Sequence, residues 1–341
     1  MKNNKEKTNR QVAWFVSYNE RFGFLKSKNY DKIYFNKKKH IVGRNGINEK
    51  MFNKNAIFEV TVEENKKGAS VGEIKYIPYR MPKDTRILIE RENNIDNFYL
   101  KLNKAAHFNI DKFDLTKAVK GKNFKKVPIN SLVKRQVLTL KDMGIQYEKI
   151  NFMPQWRLIV GLGHESVYET SMTLHHIYGI PYIPAQSIKG VLRSFIINRL
   201  FAKNNEGEID LENAEKRALK DPGFKFIFGD EKQQGKVRFF DAYPASEPGI
   251  ELDIMNPHYG PYYKGEEKYP GDYYNPVPVT FLTVRDVEFI IYFGIKQGDN
   301  KAIEEGRFEG QKPLAVILYW LKKALKEHGI GAKTAAGYGY A

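Results

Sequence analysis

Residues 11–77 hold several short runs in which apolar side chains recur at every second position, and no helical period of useful length appears. Val12, Trp14 and Val16 begin the pattern, Phe22 and Phe24 continue it, and Ile33 and Phe35 alternate with Tyr34 and Asn36. Residues 57–62 (IFEVTV) and 72–77 (GEIKYI) complete it, with glycines and asparagines between the runs. Period two is the spacing of a β-strand, whose side chains point to alternate faces. Several strands in so short a stretch suggest a small closed barrel.

Parity then divides the aromatic residues. Trp14, Phe22, Phe24 and Tyr34 fall on one parity of neighbouring strands, so they can share a sheet face, with Lys26, Lys32, Lys37, Lys38 and Lys39 close by. Aromatic faces stack unpaired bases at roughly 1–3 kcal/mol each, while lysines follow phosphates. The alternative is that these four rings are simply the core; a core would instead use the opposite parity, where Ile33 and Phe35 sit.

The charge points the same way. The chain of 341 residues carries 56 Lys and Arg against 40 Asp and Glu, a net +16. Of these, 32 basic and 14 acidic residues lie in the first 141 positions, and the last 200 hold 24 against 26. A merely solubilising surface would spread its charge evenly. A basic arm on a neutral body is a polyanion-binding footprint, because each neutralised phosphate releases counterions. There is no cysteine, which removes disulfides, thiolate nucleophiles and Cys-ligated zinc or iron–sulfur sites. No apolar run reaches the roughly 18 residues of a membrane span, and the polar first ten residues hold no signal core. The chain reads as soluble and cytoplasmic, with no membrane partner.

Pro78, Arg80, Pro82, Lys83 and Arg86 read as a linker, giving a barrel domain over 1–80, a linker over 81–96 and a body over 97–341. In the body, Leu132, Val133, Val137 and Leu140 mark a helix ended by Gly144. Ile188, Val191, Leu192, Phe195 and Ile196 mark a second helix, capped by Ser187. Leu314, Ile317, Leu318, Leu321 and Leu325 mark a third, begun by Pro313 and stopped by Gly329. Residues 157–163 (RLIVGLG), 236–243 and 287–295 read as strands. Strands interleaved with a few helices give an α+β body, and the order suggests a duplicated ferredoxin-like (RRM-like) unit.

Two segments of the body carry candidate chemistry. Residues 179–193 (GIPYIPAQSIKGVLR) lead through two prolines into a helix whose N-terminal N–H groups could face an anion. Lys189 and Arg193, four apart and off the apolar stripe, would form a phosphate shelf. The alternative is a packing helix with two solvated cations. Residues 329–339 (GIGAKTAAGYG) hold four glycines, which permit close backbone approach. Walker A spacing fails because Ala332 precedes Lys333, so this is no nucleotide-triphosphate loop. A glycine loop against an RNA backbone or a sheet fits better, with Lys333, Thr334 and Tyr338 as contact candidates. His175 and His176 are adjacent, so in a regular element they point apart and cannot serve one metal. A metal site would need His258 with Asp253 or similar, and no HxxxH or HExxH spacing exists; Asp241 and Asp253 could ligate magnesium but fit turn hydrogen bonds better. A general acid–base ribonuclease could use His107 or His175 with Lys189. Six tyrosines between Tyr259 and Tyr274 suit a partner surface, base stacking, or a loop packed on its own domain.

Two resemblances organise these observations. Residues 12–16 (VAWFV), 21–26 (RFGFLK) and 32–36 (KIYFN) resemble the cold-shock domain, a five-stranded OB barrel. The family's stacking aromatics correspond to Trp14, Phe22, Phe24 and Tyr34, with Lys26 and Lys37 beside them; Asn36 stands where the family usually has histidine. The body resembles the RAMP superfamily of CRISPR effector proteins, and within it the sixth-subunit family of type III-B (Cmr) complexes. The resemblance is carried by residues 156–163 (WRLIVGLG), 169–179 (ETSMTLHHIYG), 179–193, 228–230 (FGD), 235–244 (GKVRFFDAYP), 252–259 (LDIMNPHY), 275–284 (NPVPVTFLTV) and 329–339. Ala185 and Gln186 depart from the family's usual small residues. This resemblance implies a non-catalytic scaffold that binds crRNA and target RNA near the guide 3′ end. It implies contacts with a backbone RAMP subunit, a small subunit and another RAMP cap subunit, and neither cofactor nor metal. An endoribonuclease of the same superfamily and a free-standing RNA chaperone are the alternatives.

Overall fold

A computed structural model of the chain describes residues 10–40, 47, 49–53, 56–77, 85, 95–109, 112–120, 122, 124–204, 206–271, 273 and 275–341. The linker expected over 81–96 falls almost wholly outside these residues. The chain divides into two compact units: Met1–Ile95 with Lys101–Lys120, and Asp96–Leu100 with Gly121–Ala341.

In the first unit β1 (Arg10–Tyr18), β2 (Phe22–Ser27), β3 (Ile33–Asn36), β4 (Ile57–Asn65) and β5 (Gly68–Tyr76) close into a barrel of order β1-β2-β3-β5-β4. All pairings are antiparallel except the closing bridge of β3 to β5, Tyr34 with Ser70. The alternation of the sequence is the alternation of the wall. Ala13, Leu25, Ile33, Phe35, Phe58, Val60, Val71 and Ile74 fill the interior, and Phe52 stacks on Phe35 at 4.8 Å and Phe58 at 4.7 Å. Burying each large side chain contributes about 1.5–3 kcal/mol. Gly23 is required on β2: a Cβ there would lie 2.4 Å from the Phe35 ring and 2.6 Å from the Ser17 carbonyl oxygen. A bulge between Phe15 and Ser17 bends β1 beside it. After β3 comes the single turn α1 (Lys37–His40). Further on are α2 (Phe98–Asn103), the hairpin β6 (Phe108–Asn109) and β7 (Lys112–Phe113), and α3 (Leu115–Val119). The Tyr76 hydroxyl donates to the Phe108 carbonyl at 3.2 Å, within the same unit as the barrel.

The second unit is mixed. Its helices are α4 (Ile129–Asp142), α5 (Ala185–Leu200), α6 (Ala214–Ala218), α7 (Pro222–Phe228), α8 (Gly260–Tyr263) and α9 (Pro313–Glu327). Its strands are β8 (Ile145–Phe152), β9 (Arg238–Phe239), β10 (Tyr243–Pro244), β11 (Gly249–Met255), β12 (Val279–Arg285) and β13 (Phe289–Lys296). β13 is central, paired along its length with β8 and on its other side with the short β9 and β10. β8 and β9 are both antiparallel to β13, hence parallel to each other, and α5 lies in the connection between them. α4 and α9 pack on β8, and Phe289, Ile291, Phe293 and Ile295 of β13 are fully buried. Residues 236–243, expected as one strand, form two short ones.

Residues 157–163 are not a strand. Only Leu158 bridges, to Val284. The remaining backbone groups serve other partners: the Arg157 carbonyl accepts from Gly339 N–H, Ile159 from Ala332 and Val160 from Thr173, each at 2.8 Å. Gly161, at φ +78°, then turns the chain. Gly144 and Gly329, at φ +62° and +75°, end α4 and α9 as expected. Among the described residues no helix is long and apolar enough to cross a membrane.

Candidate nucleic-acid interface

On the outer wall of the barrel, registers Phe24↔Tyr34, Phe22↔Asn36 and Trp14↔Lys26 place the four rings on one face. Phe22 lies 5.8 Å from Phe24 and 5.6 Å from Tyr34, and Phe24 lies 6.1 Å from Tyr34. Trp14 is 45% exposed and Tyr34 37%, while Phe22 and Phe24 are half-buried. The core uses the other parity, so these rings form a surface.

The cations around this face are not equivalent. Lys26 pairs with Asp31 at 2.9 Å, an exposed contact, and that partner holds the Asp31 carboxyl below its ordinary range. Lys32 Nζ lies 5.9 Å over the Phe24 ring. Lys37 is tied to Glu49 at 2.6 Å, which raises its pKa, and it sits 5.9 Å over Tyr18. Lys37 therefore reaches a phosphate only by giving up Glu49. Asn36 donates from Nδ2 to the Tyr34 hydroxyl at 3.5 Å and accepts the Lys39 N–H at 3.2 Å, so it caps α1 and touches the stacking face together. Its own N–H donates to His40 Nδ1 at 2.9 Å. Burial, then Lys39, pushes the His40 pKa down. Beside Phe24 and Tyr34 an open cleft of about 660 Å³ is walled by Asn65, Lys66, Lys67, Gly68, Ala69 and Ser70 of the β4–β5 turn. These residues were absent from the sequence reading; their signal was a Lys-Lys-Gly turn between two strands.

In the body, the expected shelf is spent on the fold. α5 begins at Ala185 after Pro184, and Ser187 lies inside it, so Ser187 is not the cap. Asp241 reaches across and accepts the Ala185 N–H at 2.8 Å, placing the protein's own carboxylate where an anion was expected. Lys189 Nζ donates to the Phe228 carbonyl at 2.9 Å, and burial, then Arg193, lowers its pKa. Arg193 pairs with Glu215 at 2.7 Å and lies 5.6 Å over Phe224. Long side chains on a half-buried helix found nearer partners than solvent.

The glycine-rich tail folds back on residues 157–160. Lys333 is left-handed at φ +58°, half-buried, with Nζ 5.8 Å over Phe281; Thr334 begins the short turn after it. Tyr338 is only 7% exposed. Its hydroxyl donates to Asp253 Oδ2 at 2.9 Å, and burial together with that bond pushes its pKa to about 12. Tyr338 thus packs inward, with its hydroxyl taken by Asp253. Arg157 donates to the same Asp253 oxygen at 2.6 Å and to Glu251 at 3.2 Å. Burial opposes ionisation of Asp253, but bonds from Ile254 N–H, Tyr338 and Arg157 outweigh it and lower its pKa.

His175 and His176 stack at 5.3 Å with rings 4° from parallel, contrary to the expectation that they point apart, because they lie in an irregular turn. His175 Nδ1 accepts N–H bonds from Ile177 and Tyr178 at 3.2 and 3.4 Å, and burial, then His176, lowers its pKa. Burial likewise lowers that of His107. Among the described residues no group of three or more His, Asp or Glu side chains is arranged to hold a metal ion. Tyr262, Tyr263, Tyr269 and Tyr273 are 42–78% exposed, while Tyr259 is half-buried; Tyr274 and Asp272 lie outside the described residues.

The first unit thus carries an aromatic, basic face on a closed barrel, and the second is a mixed body closed by a glycine-rich tail. The family model of the RAMP superfamily matches residues 157–341, more than half of the chain, and the chain belongs to that superfamily. It is 41% identical over 236 residues to the CRISPR system Cmr subunit Cmr6 of Pyrococcus furiosus, covering 55% of this chain and 65% of that one. It is 26% identical over 218 residues to the CRISPR system CMR subunit Cmr6 of Saccharolobus solfataricus, covering 60% and 62%. Each match thus spans just under two thirds of the relative. Among solved structures, a chain of the type III-B Cmr-beta complex bound to cognate target RNA is similar at TM-score 0.48 and 21% identity, covering 76% of this chain and 72% of that one. The crystal structure of Cmr6 from Pyrococcus furiosus is similar at TM-score 0.36 and 35% identity, covering 57% and 97%.

Proposed function

We propose that the chain is a non-catalytic, RNA-binding subunit of a type III-B (Cmr) CRISPR effector complex. On this reading it binds crRNA and target RNA near the guide 3′ end and caps the backbone in antiviral defence, in the cytoplasm. Its partners are a backbone RAMP subunit, a small subunit and another RAMP cap subunit. Residues 1–80 act as a cold-shock-like OB domain, 81–96 link it onward, and the RAMP domain starts at 97. The order of β10, β13 and β8, with α5 in the connection from β8 to β9, is compatible with one ferredoxin-like module; the second module remains a proposal without its own strand order. Superfamily membership and relatives named Cmr6 support the assignment. The observation that carries RNA binding is the contiguous ring face of Trp14, Phe22, Phe24 and Tyr34 on a basic barrel.

That face stacks unpaired bases while Lys26, Lys32 and the Lys66–Lys67 turn meet the backbone. In the body Lys333 and Thr334 remain the proposed contacts, and Lys189 and Arg193 there, like Lys37 beside the barrel face, contribute only by exchanging internal partners. The test is incubation of the full chain with labelled guide and target RNA, with and without magnesium. Wild type should bind without cutting, and the Phe22→Ala, Phe24→Ala, Tyr34→Ala triple variant should lose single-strand affinity by several kcal/mol at most. Unchanged affinity disposes of the stacking face. Cleavage that disappears in His175→Ala establishes the endoribonuclease alternative.

A further inference from the structure

Trp156 is a large aromatic side chain of the body that is both exposed and firmly held. It is 52% exposed, yet it is held from beneath: its ring lies 4.7 Å from the buried Tyr338 ring and 5.3 Å from the Arg157 guanidinium. Those two supports are themselves fixed, because both donate to Asp253 Oδ2 and Arg157 also reaches Glu251. On either side the backbone is pinned as well, with Gln155 N–H donating to the Tyr340 carbonyl at 2.9 Å and Gly339 N–H to the Arg157 carbonyl at 2.8 Å. An indole immobilised in this way has lost little further freedom to lose on binding, which is what makes an exposed aromatic an effective contact.

The same scaffold presents a cation. Tyr338 also lies 6.1 Å from Phe281, and Lys333 Nζ sits over Phe281. Among the described residues Lys333 has no carboxylate partner, unlike Lys26, Lys37, Arg157 and Arg193, and it is held in a left-handed conformation uncommon for a side chain with a Cβ. Strain of this kind persists where surrounding structure fixes it, and collects at sites of binding. Trp156 and Lys333 are joined through the buried rings of Tyr338 and Phe281, and they bring the two groups a nucleotide needs: a flat exposed ring that can stack a base, and an ammonium without a carboxylate partner that can neutralise a phosphate.

We infer that Trp156 is a stacking platform for one base of single-stranded RNA on the body, with Lys333 taking a neighbouring phosphate. This is a contact site separate in sequence and in unit from the barrel face, and it rests on the RNA-binding reading above. The three tryptophans make it testable in the full chain, because Trp14 belongs to the barrel face, Trp156 to the platform, and Trp320 packs on Phe195 as an internal control.

Two single-tryptophan proteins are needed. Trp14→Phe with Trp320→Phe leaves Trp156 as the reporter, and Trp156→Phe with Trp320→Phe leaves Trp14. Each is titrated with a mixed-sequence single-stranded RNA of about 12 nucleotides, within the site sizes such surfaces cover. The expected result is saturable quenching of Trp156 emission. In the otherwise native chain, Trp156→Ala should lower affinity roughly five- to hundred-fold, Trp156→Phe should restore most of it, and Lys333→Ala should flatten the salt dependence. Quenching of Trp14 with Trp156 unchanged overturns the platform and leaves the barrel reading standing. If neither reporter responds, both fall. A Trp156 response only when partner proteins are added also overturns the proposal and assigns the indole to a protein interface.

Discussion

Phe24→Ala should weaken single-stranded RNA binding without altering how that binding responds to salt. Phe24 sits at the centre of the barrel face: it touches Phe22 and Tyr34, lies under Lys32 Nζ and lines the cleft beside the β4–β5 turn. Losing one base stack costs about 1–3 kcal/mol, and removing a ring that braces two others costs about 0.5–1.5 kcal/mol more. The sum is about 1.5–4.5 kcal/mol, a loss of affinity of roughly ten-fold or more. No charge is removed, so the slope of log affinity against log salt should stay constant, whereas Lys32→Ala should reduce it by about 0.7. Fluorescence anisotropy of a labelled oligonucleotide at several salt concentrations measures both quantities at once. Phe24 is half-buried on the outer wall and outside the interior cluster, so thermal unfolding of the variant should remain near wild type. Unchanged affinity with an intact fold refutes the stacking argument. So does a loss that comes entirely through the slope, which would make the face an electrostatic surface that happens to carry rings.

Two further outcomes concern the body. Arg157→Ala leaves the half-buried Asp253 without its cation, while Glu251 keeps Arg285 at 2.6 Å, and removes a support of Trp156, so urea unfolding should show a loss of about 2–3 kcal/mol, below the 3–5 kcal/mol of a fully buried pair; a midpoint within experimental scatter of wild type refutes it. The Tyr338 pKa is raised from 10.0 to about 12, so the folded state favours the neutral phenol. The stability it contributes is complete below pH 10 and is lost as pH rises from 10 to 12, a window that circular dichroism of wild type against Tyr338→Phe should reveal.

The barrel was legible because its information is local. Period two assigns Ile33 and Phe35 to the inside and Tyr34 to the outside without reference to any other strand, and one parity error would have inverted the surface. The apolar stripe of α9 and its terminal glycine were legible for the same reason. What sequence could not supply was the partner of a polar group. Lys189 and Arg193 had the spacing of a phosphate shelf, but the Phe228 carbonyl and Glu215, brought close only by the tertiary fold, take them first. Ser187 stood in a good capping position, yet Asp241, 56 positions away, reaches the helix end. The apolar run 158–160 carried the propensity of a strand and is buried like one, but its carbonyls pair with the tail and with Thr173. Tyr338 looked like a contact because it lies among glycines, and the fold turns it inward.

The tail's return to residues 155–160 has a bearing on the order of events during synthesis. Gln155 Nε2 donates to the Ala341 carbonyl across 186 positions, and Ala332 and Gly339 complete the backbone pairing of Ile159 and Arg157. A ribosome-bound chain that has emerged only as far as α9 already contains Trp156, Arg157 and the carboxylates of Glu251 and Asp253, but not the Tyr338 ring or the tail backbone that complete their support. Such long-range closure is slow and comes late. Within these residues the barrel, paired inside residues 10–76, would therefore close first, and the pairing of residues 155–159 with 332–341 last.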